Sequence, residues 1–289
     1  MTLDLPRAVF HEMTARKQLP RTPETELVMN GVQTVEDYSS CGEEGGALFG
    51  PYLYNALQVS ARVAPGNQVI DLGCGSGRLL NLIASWNPEV SFIGTDLAPV
   101  MLETARQQAE LLGLRNVTYL EADFSRLDDF GLHEADAIMS SMALHHLPDR
   151  VSLSRCFSSI VRVLKPSGQL YLMDFGRLRS RQAVEIFVGK VARTETPALS
   201  QDYRASLYAA FTPEDFDQEI LRLGRMDVAL HRSVIAPLLM VACTPAPGPA
   251  GQRAVDAFTR AQRQLSAHRR AELAQMRLFL RLGGLGFPL

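Results

Sequence analysis

No stretch of this 289-residue chain reaches the ~18 uninterrupted apolar residues that a membrane-spanning helix requires. An excess of positive charge is missing too. The 29 Lys and Arg stand against 31 Asp and Glu, a formal net charge of −2, so nothing in the total calls for nucleic acid or an anionic surface. Cysteine is scarce: Cys41, Cys74, Cys156 and Cys243 lie far apart and form no C-x-x-C. That spacing excludes a zinc knuckle and a redox dithiol, and it predicts reduced thiols in a cytoplasmic protein. Residues 1–10 carry Asp4 and Pro6 and lack an apolar core, so no signal peptide is expected. Lysine is nearly absent, 3 against 26 Arg, which we read as a coding bias without functional content.

What remains is a composition of 46% apolar and 21% charged residues, that of a globular protein with one large domain or two small ones. Charge is uneven along it. Residues 246–289 carry seven Arg against Asp256 and Glu272, net +5, which leaves −7 for residues 1–245.

Hydropathy patterning divides the chain into three parts. Residues 1–64 are polar and punctuated by Pro and Gly, with a short helix predicted over 24–30, a Gly-rich loop over 36–50 and a helix from Pro51. Residues 65–245 then alternate short apolar runs with helical spacing. Strands are predicted at 68–72, 90–95, 117–121, 135–141 and 169–175, with helices at 78–86, 99–112 and 151–164 between them, the pattern of a parallel sheet covered on both faces. From residue 178 the rhythm changes. A helix is predicted to 194, an irregular or helical stretch over 196–211, and a helix opening at Thr212-Pro213-Glu214-Asp215, where Thr serves as N-cap and Pro as first helical residue. Two closing strands are expected at 226–231 and 234–243. Residues 246–289 hold one long Arg-rich helix, 254–282, with Phe258, Leu265, Leu273, Met276 and Leu280 on roughly one face. That helix suits a cover for the domain, a homodimer contact, or a basic surface for a membrane or an acidic carrier protein.

Acidic residues mark the ends of three successive strands: Asp71 before Gly73-Cys74-Gly75-Ser76-Gly77, Asp96 after Gly94-Thr95, and Asp123 after Glu121-Ala122. In a doubly wound sheet all three fall at the carboxyl edge, where such sheets bind ligands. The loop reads G-x-G-x-G. Arg78 holds the place of the third glycine of a dinucleotide fingerprint, and the Lys-Ser/Thr pair of a phosphate loop is missing. Asp96 can accept from both hydroxyls of a ribose and Asp123 from an exocyclic amino group, the demands of an adenosine with a small polar tail and no pyrophosphate. Each acid also has a plain structural use, Asp96 as a helix cap and Asp123 as a solvated loop residue.

With these residues in place, the sequence resembles a class I S-adenosylmethionine (SAM)-dependent methyltransferase of the small-molecule type. The strings that carry the resemblance are Asp71–Gly77, Gly94–Asp96, Glu121–Phe124, Ser140–Asp149 with its Leu-His-His-Leu, and Arg162–Gly168. It covers about residues 65–245. The resemblance implies a Rossmann-like α/β fold, a seven-stranded sheet of order 3-2-1-4-5-7-6, with an N-terminal helical lid, inserted lid elements around 178–211 and a C-terminal helical extension. It implies SAM as methyl donor, S-adenosylhomocysteine (SAH) as product, and a small-molecule acceptor. Asp71 would lie near the donor's ammonium, Gly73, Gly75 and Gly77 beside its methionyl part, Asp96 at the ribose, Met101 and Phe124 against the adenine, Asp123 at the adenine amino group, and Ser140 and Ser141 near the sulfonium.

A base is needed only where the acceptor is not already an anion or a free amine. The candidates are His145, His146, Asp174 and a lid tyrosine, chosen among Tyr38, Tyr52, Tyr54, Tyr203 and Tyr208. A metal on His145, His146 and Asp149 is not expected, because adjacent histidines should point apart. The segment 39–50 is expected to close over the donor, ordering Gly42–Gly46 and bringing Tyr38 to the methionyl end, with 196–211 as the alternative cover. Cys41 and Cys74 are expected to be bland thiols. Two other functions fit the same motifs: attack on a different sulfonium carbon, giving aminobutyryl transfer or SAM cyclisation with release of methylthioadenosine, and a SAM-binding protein without catalysis.

Overall fold

The computed structural model describes residues 4–24, 46–234 and 236–289. Strands β1 (Gln68–Leu72), β2 (Ser91–Asp96), β3 (Val117–Glu121), β4 (Ala135–Ser141) and β5 (Leu164–Phe175) pair in parallel, and β7 (Leu239–Cys243) runs antiparallel between β5 and β6 (Ala229–Arg232). The order is 3-2-1-4-5-7-6, as expected. The register brings Leu72 beside Thr95, Asp96 beside Glu121, and Ser141 beside Met173, so five carboxyl ends form one edge.

Alternate residues of each strand serve two cores. Val69, Phe92, Met139, Tyr171 and Val241 face α2 (Phe49–Ser60), α3 (Arg78–Trp86), α9 (Gln252–Gln264) and α10 (Ala267–Leu282). Ile70, Leu72, Ile138, Leu172 and Met240 face α5 (Arg150–Val163) and α8 (Pro213–Arg222). Burying a side chain such as Leu53, Leu57 or Leu172 contributes roughly 1.5–3 kcal/mol each. A third, smaller cluster joins α1 (Asp4–Thr14), α6 (Arg181–Val191) and α7 (Pro197–Ala209) through Ala8, Val184, Val188 and Leu207. Helix α4 (Pro99–Leu111) buries Met101, Leu102 and Ala105 beside β2 and β3.

Several boundaries differ from the sequence expectation. The last two strands are shorter, because Ser233 turns the chain: its hydroxyl donates to the Ala236 carbonyl at 2.7 Å and accepts from the Leu239 N–H at 3.1 Å. Strand β5 begins at Leu164, which pairs with Ala135, and then shifts register so that Gln169 pairs with Ala137. The expected Lys165–Gly168 turn sits in that irregularity. The expected long C-terminal helix is two helices, since Ser266 interrupts it and caps α10 by accepting from the Arg269 N–H. Phe258, Leu265, Leu273 and Leu280 are buried on the α2 side of the core, so this extension covers the domain. The Thr212 cap holds as expected, a reciprocal capping box with Asp215.

Candidate functional site

The carboxyl edge opens into a cavity of about 1440 Å³. Gly73 and Gly77 adopt φ +71° and +72°, a region open to glycine at little cost. A Cβ on Gly73 would stand 2.4 Å from that of Ala143, and one on Gly77 2.6 Å from the Tyr119 hydroxyl oxygen. The loop therefore lies flat against its neighbours and turns its backbone to the cavity.

Asp71, Gly73, Gly75, Asp96, Met101, Asp123, Phe124, Ser141, His145 and His146 all line this one space. Gly77 does not line it; it packs behind the loop. Ser140 is fully buried and donates to the Leu72 carbonyl at 2.8 Å, tying β4 to β1. Tyr38, Cys41, the Gly42–Gly45 stretch and most of the expected 24–30 helix lie outside the described residues. Of the other tyrosines, Tyr52 and Tyr203 line the cavity, whereas Tyr54 stacks on Phe287 and Tyr208 packs in the third cluster. Cys74 lines the cavity, but burial and the nearby Asp71 and Asp96 push its thiol well above the ordinary range, away from nucleophilic use.

The acids differ in state. Burial, with Asp96 nearby, pushes the Asp71 carboxyl up to about 8. Asp96 accepts from the Gly75 N–H at 2.8 Å with one oxygen and from the Ala98 N–H at 2.9 Å with the other, so it ties the glycine loop to the residue before α4 while facing the cavity. Asp123 accepts from the Ser125 N–H at 2.8 Å.

Across the cavity, the turn Leu144–His146 follows β4 and presents both histidines. His145 is buried, and its Nδ1 lies 2.7 Å from Asp174 Oδ1, while Asp174 Oδ2 accepts from the His145 backbone N–H at 3.0 Å. His146 does not point away from it. The two rings sit 4.2 Å apart, tilted by 37°, and both face Glu24. The expected divergence fails because a 3-10 turn, unlike a strand, keeps successive side chains on neighbouring faces. Asp149 is elsewhere: it caps α5, accepting from the Ser152 N–H at 2.7 Å.

Glu24, His145 and His146 bring donor atoms within 4.8 Å of one another, the spacing of a metal ligand set. Glu24 Oε2 and His146 Nδ1, however, are 2.5 Å apart. Two ligands of a tetrahedral zinc with bonds of about 2.0–2.1 Å stand ~3.3 Å from each other. The observed spacing is that of a close ion pair. Burial works against the charge on His146, yet the Glu24 carboxylate raises its pKa above the ordinary value. Burial would raise the Glu24 carboxyl, but His146 and His145 hold it below the usual range.

Residues with no sequence signal build this half of the site. Arg21 donates to the carbonyls of His145 (2.9 Å), Leu147, Pro148 (2.5 Å) and Ala209 (2.6 Å), with its guanidinium 4.0 Å over Phe211. It clamps the histidine turn and so delivers Glu24, three residues on. Asn55 on α2 donates to the Ser141 hydroxyl at 3.1 Å and accepts from the Tyr171 hydroxyl at 2.6 Å. Met142, between Ser141 and Ala143, holds φ +57°, a strained value for a side-chain-bearing residue and one that clusters at functional sites.

A sequence model of the methyltransferase domain matches residues 69–168. The chain is similar to ubiquinone biosynthesis O-methyltransferase of Xanthomonas campestris, 32% identical over 132 residues, which cover 44% of this chain and 52% of that protein. It is also similar to an uncharacterized protein of Mycobacterium bovis, 30% identical over 177 residues, 61% of this chain and 56% of that one. The chain thus spans about half the length of the curated relatives it matches. Among solved structures, the fold is like that of the plantazolicin methyltransferase BpumL in complex with SAH (14% identity, 92% of both chains, TM-score 0.55) and the CurJ carbon methyltransferase (18% identity, 73% of this chain and 59% of that one, TM-score 0.53). Residues 69–168 thus match a methyltransferase domain, and the chain has the fold of solved methyltransferases, with the sheet order 3-2-1-4-5-7-6.

Proposed function

We propose that this protein transfers the methyl group of SAM to a hydroxyl oxygen of a small molecule, with His145 as general base. The observation that carries this reading is the 2.7 Å contact between His145 Nδ1 and Asp174, in the same cavity as Asp71, Asp96 and Asp123. A carboxylate there accepts Nδ1–H and leaves Nε2 with its lone pair. Nε2 lies 3.9 Å from Glu24 Oε1, so an imidazolium formed by taking a hydroxyl proton has carboxylates on both sides. The named O-methyltransferase relative supports an oxygen acceptor.

The residues on the opposite wall fit the donor. A buried carboxyl such as Asp71 gains a counter-charge from an ammonium group. Asp96 keeps lone pairs that would serve ribose hydroxyls beyond those used by the loop, and Asp123 would hold the adenine amino group, with Met101 and Phe124 beside the ring. Ser141, held by Asn55, would serve the sulfonium side, while Gly77 and Ser140 shape the loop and strand behind. The donor supplies an already activated methyl, so the protein's work is alignment, exclusion of water and removal of one proton.

The nucleoside product separates this reading from its rivals. Incubation with SAM and a panel of phenols should yield SAH. Methylthioadenosine would instead mean attack at another sulfonium carbon, and SAM binding with no product would mean a non-catalytic protein.

A further inference from the structure

The walls of the cavity away from the glycine loop come from α1, α6, α7 and α10, outside residues 69–168. They present Val9, Ile186, Phe187, Leu199, Met276 and Phe279. Several charged residues on the same walls are engaged with each other: Arg269 with Glu195 at 2.6 Å and Glu272 at 2.9 Å, and Lys190 with Glu272 at 3.5 Å. Among the described residues, the carboxylates of Glu24 and Asp202 line the pole around His145, with Asp174 behind the ring, while the nearby Arg21 guanidinium is turned into backbone carbonyls. The whole cavity, about 1440 Å³, exceeds the range of about 300–1,000 Å³ that suits one drug-sized ligand. A donor at the glycine loop therefore leaves a chamber large enough for a second sizeable molecule.

From this geometry we infer that the acceptor is an uncharged hydroxylated compound whose body is apolar and larger than a single ring. The carboxylates at the reacting pole repel an anion placed next to the hydroxyl, and the apolar walls return binding energy only to apolar surface. This inference rests on the methyl-transfer reading for the position of the hydroxyl. It assigns α10, at the end of the sequence, a role in acceptor selection as well as in covering the core.

The test uses the full chain saturated with SAH and titrates it calorimetrically with 4-hydroxybenzoate and with its methyl, butyl and octyl esters. The hydroxyl is constant across the set; charge and apolar length vary. At least a twofold gain in affinity per methylene is expected, about a hundredfold between the methyl and octyl esters, at a stoichiometry of one. Free 4-hydroxybenzoate should bind more weakly than every ester. Phe187→Asp and Phe279→Asp should each flatten the series while leaving SAH affinity within twofold. Phe187→Ala and Met276→Ala offer gentler versions should either acid disturb folding. Equal affinity across the esters, tightest binding by the free acid, or an unchanged slope in all four variants would overturn the inference. Because binding is read without turnover, an ester series with the expected slope and no SAH release from SAM would leave the chamber assigned and remove the methyl-transfer reading alone.

Discussion

Replacing Asp174 by Asn removes one negative charge and little volume. In the native site, Oδ1 accepts from His145 Nδ1 at 2.7 Å and from the Phe175 N–H at 2.6 Å, while Oδ2 accepts from the His145 N–H at 3.0 Å. An amide cannot serve all three donors. With its oxygen toward Phe175, the NH2 meets the His145 backbone N–H. With its oxygen toward the backbone of His145, the NH2 meets Nδ1, and the ring takes the tautomer that carries its proton on Nε2, where a base cannot act. Either way the carboxylate that stabilises the imidazolium is gone. A positioned general base supplies about 10²–10⁴ in rate, and each decade is about 1.36 kcal/mol, so kcat with a neutral phenol should fall at least about a hundredfold. The loss should shrink for acceptors of lower pKa, which need the base less. SAM affinity should stay within about threefold, because Asp174 stands across the cavity from the glycine loop. SAH release, followed across a series of phenols, measures all of this. A folded Asp174→Asn protein with kcat unchanged on a weakly acidic phenol would show that His145 is not the base, or that Asp174 does not position it.

Asp96→Ala should weaken SAM binding at least about tenfold by calorimetry, through lost ribose bonds and through release of the Gly75 N–H that Asp96 now holds. For Asp71, the folded carboxyl keeps its proton to about pH 8, whereas an unfolded one loses it near 4. Stability from this group alone is therefore present at low pH and declines as pH rises between those values. An ammonium bound beside it should expel the proton, so SAM binding at pH 6.5 should release close to one proton, seen as a dependence of binding heat on buffer ionisation enthalpy and lost in Asp71→Asn. Arg21→Met keeps the apolar stem but abandons four backbone carbonyls, and it should cost at least about 2 kcal/mol in urea unfolding and lower kcat more than SAM affinity.

The glycine-loop half of the candidate site was legible in sequence because its signals are local. Asp71, Asp96 and Asp123 each follow a short apolar run, and Gly73, Gly75 and Gly77 need backbone angles that only glycine adopts freely, so type and spacing together locate them. The strands were legible from their short apolar runs, but their order came from the resemblance alone, since periodicity does not say which strands pair. The histidine half was not legible, because it is assembled by long-range contacts. Arg21 reaches the histidine turn more than a hundred residues away through backbone carbonyls, which any sequence supplies. Glu24 lies in a polar stretch where a carboxylate carries no pattern. The orientation of His145 and His146 depends on a 3-10 turn that periodicity does not reveal. The break at Ser266 was readable in principle, as a serine cap inside a helical run, but the continuous apolar face across it outweighed that signal.

Transfer of labelled methyl tests the central claim most directly. The protein is incubated with [methyl-13C]SAM and the butyl ester of 4-hydroxybenzoate, and the carbon is followed by NMR while nucleosides are separated by chromatography. The expected result is a new 13C methoxy resonance that grows in equal amount with SAH and is lost in His145→Ala. Label in methylthioadenosine would contradict methyl transfer to oxygen, and a methoxy resonance formed at the native rate by His145→Ala would contradict His145 as the base.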